Sequence, residues 1–257
     1  FFSAPCGFGK TVVAQALLEG RRVWKLEGES ARGTDLETKK DWEILLMEDF
    51  QLFQEEEDQQ ALCALIRRSP GKRFVILSRG SPPGCLMAFQ YAGLMTVIGP
   101  KDLLFDREDI RHFFDASGIP VTDGEIAGIL KESIGYPLGV AITAQNMSSG
   151  ARFSQQIVGR SFQEVYRYFE TAIYLRLGLP YRRFLLELSP FESFNLEMAR
   201  MVSGDAHAGE MLDWLQRHTS MLLYDGFRQY RFWSGFRDFL LWEMDHSCPP
   251  EKRKALF

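Results

Sequence analysis

Cysteine and histidine are scarce, with four of each in 257 residues. Cys6, Cys63, Cys85 and Cys248 form no C-x-x-C pair and have no histidines at zinc-ligand spacing, which argues against a structural zinc site or a disulfide framework. Long apolar runs are missing as well. None approaches the ~20 residues of a membrane-spanning helix, and the opening residues do not read as a signal peptide. A reducing, cytoplasmic setting is the expectation. An excess of base is also absent: 30 Lys+Arg stand against 34 Asp+Glu, a net charge of −4, so there is no electrostatic footprint for nucleic acid. Internal repeats and low-complexity tracts are lacking. What is abundant is apolar residue, 46% of the chain with 21 Phe, and the length allows two or three domains with ample core.

Against this background one stretch stands out, "SAPCGFGKTVV" from Ser3 to Val13. In a phosphate-binding loop the backbone N–H groups of a glycine-rich turn point at the β-phosphate. A lysine meets the β/γ oxygens, a Ser or Thr hydroxyl takes Mg²⁺, and the next helix presents its positive end. Gly7, Gly9, Lys10 and Thr11 supply these parts, although Ala4 stands where G-x-x-x-x-G-K-[ST] has its first glycine. A surface turn between strand and helix is the competing reading, and the surroundings must decide.

Those surroundings alternate. Thr11 to Glu19 reads as a helix stopped by Gly20, and Arg22 to Leu26 as a short strand. "EGESARGTDLETKK", polar and glycine-containing, reads as a loop or a disordered segment. Ile44 to Met47 is an unbroken apolar run, as in a strand buried on both faces of a parallel sheet. "EEEDQQALCALIRR" is a helix with acid at its positive end and base at its negative end. Phe74 to Leu77 is another buried strand, and "LMTVIG" a further short one. The pattern implies a three-layer α/β domain with a parallel sheet, and ligands in such sheets sit at the carboxyl ends of the strands. From Lys101 the helices "REDIRHFFDA", "DGEIAGILKES" and "PLGVAITAQNM" suggest a small helical domain. Later helices, from Phe162 onward, lead to two strands joined near Gly226, which suits a winged helix. The expected boundaries are 1–98, 99–158 and 159–247, with 248–257 beginning a further region. Both ends read as cut from a longer protein.

"ILLMED" ends its strand in two carboxylates, Glu48 and Asp49, so that one can hold Mg²⁺ while the other polarises a water. Arg79, directly after the next strand, is placed to sense a γ-phosphate, or is simply a surface arginine. The ordered series "SAPCGFGKT", "ILLMEDFQLF", "FVILSRGSPP", "DLLFDREDIRHFF" and "GYPLGVAITAQNM" resembles the nucleotide-binding module of STAND-type ATPases. The likeness is greatest to the large regulators related to the maltose-regulon activator. It runs from Ser3 to about Met147, and "LLYDGFRQYRFWSGFRDFLLWEM" resembles the end of that family's winged-helix domain.

The resemblance implies a P-loop α/β domain, a small helical domain and a winged helix closing over ATP or ADP. It places Lys10 and Thr11 on phosphate and Mg²⁺, with Pro5, Gly7, Gly9 and Val12 around the nucleotide. Glu48 and Asp49 take the metal and the hydrolytic water, Arg79 is the sensor, and Pro137 lies near the adenine. It further implies self-association on activation, an inducer acting through a C-terminal sensor, and DNA contact through a domain outside this chain. Three departures stand out. Glu48 replaces the usual Asp. Arg231, Phe232, Trp233 and Ser234 occupy a segment often rich in histidine. The stretch between "RVWKL" and "DWEILLMED" is short, and residues could be missing between Ser30 and Asp41. The expectation is a regulatory switch reset by slow hydrolysis. A fast P-loop NTPase using an arginine such as Arg160, Arg182 or Arg183, and an interaction module without hydrolysis, remain open. DNA binding by the winged helix itself is disfavoured by Asp225, Asp238, Glu243 and Asp245.

Overall fold

The computed structural model describes residues 1–37, 41–148, 153–219, 221–224 and 227–247. Asp225, Gly226 and Cys248, and the segment from 248 onward, lie outside those residues. Two compact units emerge, Phe1–Ala144 and Gln145–Phe257.

In the first unit, apolar runs without a polar break become the inner strands of a parallel sheet. The strands are β1 (Phe2–Ser3), β2 (Val23–Glu27), β3 (Ile44–Glu48) and β4 (Arg73–Ser78). They lie in the order β1-β4-β3-β2, all parallel. The run "LMTVIG" is not a strand in its own right. It contributes a single parallel bridge, from Ile98 to Phe2 of β1. Helix α1 (Lys10–Leu18) connects β1 to β2 and α2 (Glu56–Arg68) connects β3 to β4, while α3 (Gly84–Tyr91) follows β4. Helix α2 carries Glu56, Glu57 and Asp58 in its first turn and Arg67 and Arg68 in its last, the arrangement that complements its dipole.

Under β2 and β3 the core gathers Trp24, Trp42, Leu45, Met47 and Leu62, with Trp42 ringed by Trp24 at 5.6 Å and Phe74 at 5.5 Å. Lys72 Nζ sits 3.9 Å over the Trp42 ring. Part of the expected loop before β3 is ordered differently: Gly33–Glu37 forms a 3₁₀ turn that buries Leu36 to 1% exposure. The turn is tied to α2 by the Gly33 N–H, which donates to Asp58 Oδ1 at 2.6 Å. One apolar residue in a polar stretch is enough for this, because burying a leucine is worth about 2 kcal/mol.

The same unit continues into α4 (Arg107–Ala116), α5 (Asp123–Ser133) and the start of α6 (Pro137–Ser148). Asp106 caps α4 by accepting from the Glu108 and Asp109 N–H groups, and Thr122 with Glu125 forms a capping box on α5. The second unit holds α7 (Gln155–Ala172), α8 (Leu179–Leu188), α9 (Leu196–Ser203) and α10 (Ala208–Thr219). The antiparallel pair β5 (Leu222–Tyr224) and β6 (Tyr230–Phe232) follows, then α11 (Ser234–Ser247). Its centre is Phe169, fully buried and met edge-on by Trp233, Phe236 and Phe239 at 5.8–5.9 Å. Helices α8, α9 and α10 followed by the hairpin and the closing helix α11 make a winged-helix arrangement, so the α/β, helical and winged-helix fold class holds.

Candidate phosphate-binding site

The loop after β1 is fastened to the end of β4. Ala4 N–H donates to Ser78 O at 3.2 Å, and Ser3 Oγ donates to Gly80 O at 3.1 Å. Ala4 is fully buried here, which suits a residue too small to crowd the sheet end. The loop then turns through two left-handed residues, Gly7 at φ +79° and Gly9 at φ +74°, and Gly9 is the N-cap of α1. Left-handed glycines of this kind turn successive N–H groups to one side, making an anion-binding concavity at a positive helix end.

Lys10 folds back over the loop, its Nζ donating to Ala4 O at 2.6 Å and Pro5 O at 2.8 Å. Burial pushes its ammonium down to about 8. The nearby Cys6 and Asp49 draw it upward and Arg79 adds to the lowering. A cation so poorly hydrated gains from an arriving phosphate more than an exposed lysine does. The residues therefore fit a phosphate group. Thr11 is exposed at the first turn of α1, as is Val12 at 70%, so neither is walled in by protein.

The other expected residues divide into two sets. Strand β4 lies between β1 and β3, so the loop and the acidic strand end are two strand spacings apart, about 10 Å, with Arg79 at the strand end between them. Asp49, Arg79 and Lys10 are mutually close enough for their charges to act on one another. Arg79 Nη2 stands 3.4 Å from Asp49 Oδ1. Glu48 belongs to the second set: its Oε2 pairs with Lys25 Nζ of β2 at 2.5 Å, and it is largely buried. The two successive carboxylates thus have different partners. Asp49 has a left-handed backbone at φ 47°, and it caps a short 3₁₀ turn, Phe50–Leu52.

Among the described residues, no group of three His, Cys, Asp or Glu side chains could hold a metal. A Mg²⁺ site of one or two carboxylates completed by phosphate oxygens and water would not need such a group. Pro137 is buried at the first position of α6, the place where a missing N–H costs nothing.

Three contacts were not foreseen from the sequence. Tyr136, 2% exposed, donates from its phenol to Cys6 O at 3.0 Å, while Leu138 N–H donates to Gly7 O at 3.1 Å. The start of α6 therefore rests on the phosphate loop, and the signal was the aromatic in "GYP". Gln51 bridges Asp49 and Arg79, donating from Nε2 to Asp49 Oδ1 at 2.9 Å and accepting from Arg79 N–H at 2.9 Å. The third is Lys25, whose alternation on β2 puts it on the face of Glu48.

Comparison with known proteins bears on the fold. Residues 171–252 match the MalT winged helix domain family. The chain is 23% identical over 217 residues to the HTH-type transcriptional regulator MalT of Vibrio cholerae, covering 81% of this chain and 24% of that protein. It thus spans about a quarter of that relative's length. Among solved structures, a Walker-type ATPase of Pyrococcus abyssi superposes with a TM-score of 0.65 at 12% identity, over 93% of this chain and 89% of the other. A variant of Thermotoga maritima RuvB superposes with a TM-score of 0.52 at 14% identity, over 93% and 85%. At those identities the likeness is one of fold.

Proposed function

We propose that this chain is a MalT-like STAND ATPase module and serves as the nucleotide-holding switch of a longer transcription regulator, a reading supported by its MalT-type winged-helix match and its distant MalT relative. The observation that carries the reading is the loop itself. Two left-handed glycines, a helix N-terminus and a half-buried, carbonyl-bound lysine meet at one end of a parallel sheet. ATP or ADP is the ligand class, held by Gly7, Gly9, Lys10 and Thr11 with Pro5 and Val12 beside them and Pro137 toward the base. Thr11, Glu48 and Asp49 are the residues for Mg²⁺ and its waters, and bound Mg²⁺ would supply charge neutralisation on the phosphates. Asp49 holds the position for orienting a water and Arg79 for answering the γ-phosphate.

In this reading the module comprises an α/β domain over 1–98, a helical domain over 99–158 and a winged helix over 159–247, and it works in the cytoplasm. Slow hydrolysis resets it, and an inducer acting elsewhere in the full protein biases the two nucleotide states. Self-association and DNA contact belong to the activated full-length protein. A non-hydrolysing module is the second reading, favoured by one feature: Glu48 is already committed to Lys25.

Nucleotide carried through purification separates the two. Protein prepared without added nucleotide is denatured, and what it releases is identified by chromatography, with Lys10→Ala alongside. Stoichiometric ADP from the wild type and none from the variant is the expected result. A wild type that is empty and binds neither ATP nor ADP on titration would refute the switch.

A further inference from the structure

We infer that Gln51 is the positioning residue that sets Asp49 and Arg79 as one unit facing the phosphate loop; this rests on the nucleotide-switch reading. The inference begins with what the side chain does. One amide group satisfies two different demands, donating to the Asp49 carboxylate and accepting from the Arg79 backbone N–H, each at 2.9 Å. The ion pair between Arg79 and Asp49 closes the ring. The amide's orientation follows from its partners, because the flipped amide would set oxygen against carboxylate and NH₂ against N–H.

The base that carries Gln51 is anchored. It sits in the 3₁₀ turn between Phe50, 3% exposed, and Phe53, 2% exposed, whose rings lie 5.7 Å apart, and Phe1 meets Phe50 edge-on at 5.7 Å. Leu52 N–H donates to Asp49 O and Phe53 N–H to Phe50 O, both at 2.9 Å, and Gln59 Nε2 donates to Phe53 O at 2.8 Å. A turn so held presents Gln51 at a fixed height above two strand ends.

Those two ends belong to β3 and β4. Without Gln51, Asp49 keeps only a half-exposed ion pair, which is weak and leaves its carboxylate free to rotate. With Gln51, one carboxylate oxygen is held and the Arg79 backbone is pinned, so a movement of Arg79 on meeting a γ-phosphate is passed to Asp49. The geometry needs a donor and an acceptor at this reach. Glutamate offers only acceptors and repels Asp49, leucine offers neither, and a neutral histidine offers one of each.

The test uses the 257-residue chain with Gln51→Leu, Gln51→Glu, Gln51→His, Asp49→Asn, Lys10→Ala and the Asp49→Asn/Gln51→Leu pair. Three quantities are read: the dissociation constant of fluorescent ADP, that of a non-hydrolysable ATP analogue, and the single-turnover hydrolysis rate. In the leucine and glutamate variants, hydrolysis should fall about 10- to 100-fold with ADP affinity within about twofold of wild type. Their ATP-over-ADP preference should change as well, and the histidine variant should keep most of the wild-type behaviour. The pair should be no worse than Asp49→Asn, within about twofold, because Gln51 acts through Asp49. A structural role alone would instead weaken both affinities together.

If wild type binds nucleotide, Lys10→Ala abolishes binding and Gln51→Leu changes neither rate nor preference, the inference falls while the switch reading stands. Multiplicative effects in the pair overturn it equally. If wild type binds but does not hydrolyse, the preference decides. If wild type binds no nucleotide, the switch reading falls and this inference with it.

Discussion

The two glycines of the phosphate loop share a backbone conformation but not a neighbourhood, and the difference can be weighed. An alanine at Gly9 meets no atom within 4 Å, so its cost is that of a left-handed φ alone, about 1 kcal/mol. An alanine at Gly7 bears the same conformational cost, and its Cβ falls 2.0 Å from Tyr136 Oη, 2.7 Å from Cζ and 3.1 Å from Leu138 Cβ. Tyr136 is buried and cannot swing aside freely, so its ring must be displaced. That sacrifices the hydrogen bond to Cys6, about 1 kcal/mol, and imposes overpacking of about 1–3 kcal/mol. Gly7→Ala should therefore destabilise by about 3–5 kcal/mol against about 1 for Gly9→Ala. With two compact units a single global transition is a poor gauge, so the assay is hydrogen exchange in urea on peptides covering β3 and β4. Pairing Gly7→Ala with Tyr136→Ala should show a favourable coupling of about 1–3 kcal/mol. Equal losses for the two glycine variants, or no coupling, would mean that Tyr136 does not rest on the loop.

Three further outcomes are expected. Lys25→Met frees the Glu48 carboxylate, so the Mg²⁺ concentration that half-saturates nucleotide binding should fall about threefold or more, read by titration of the fluorescent nucleotide; an unchanged value would place Glu48 outside the metal's reach. Leu36→Ala should cost the α/β unit about 2–4 kcal/mol, read by the same hydrogen exchange in urea on β3 and β4 peptides, because its side chain is 1% exposed, whereas a leucine in a loose loop would lose almost nothing. The Asp106 carboxyl is held below its usual range chiefly by the Asp109 N–H, then the Glu108 N–H. A carboxylate with a depressed folded pKa stabilises above its unfolded value and loses that effect as pH falls through the folded one. Protection of the α4 amides should accordingly decline below about pH 4 in the wild type and be low at all pH values in Asp106→Ala, by hydrogen exchange.

Much of the site was legible because it is built from local pattern. The run Ile44–Met47 could only be an inner strand, and its acidic end, the glycine loop and Arg79 then had to share the carboxyl edge. What stayed hidden depends on order across the sheet. Nothing in the residues says that β4 separates β1 from β3, and so nothing says that Asp49 turns to Arg79 while Glu48 turns to Lys25. Gln51 reads as an ordinary polar residue until the turn that carries it is anchored by Phe50 and Phe53. Tyr136 is separated from Cys6 by 130 residues, beyond any periodicity. In the segment before β3 the polar composition conceals a single leucine, Leu36, that finds the core.

The backbone at Asp49 has a practical consequence for anyone engineering the protein. At φ 47° this position suits glycine better than any residue with a side chain, and the Asp49 side chain is half exposed, so its removal empties no core. Asp49→Gly should be close to neutral for folding while deleting the carboxylate on which the proposed chemistry depends. A library selected only for heat resistance or expression yield would accept such clones readily, and thermal hardiness would then accompany a silent protein. Selection schemes for this module need a nucleotide-dependent reporter from the first round.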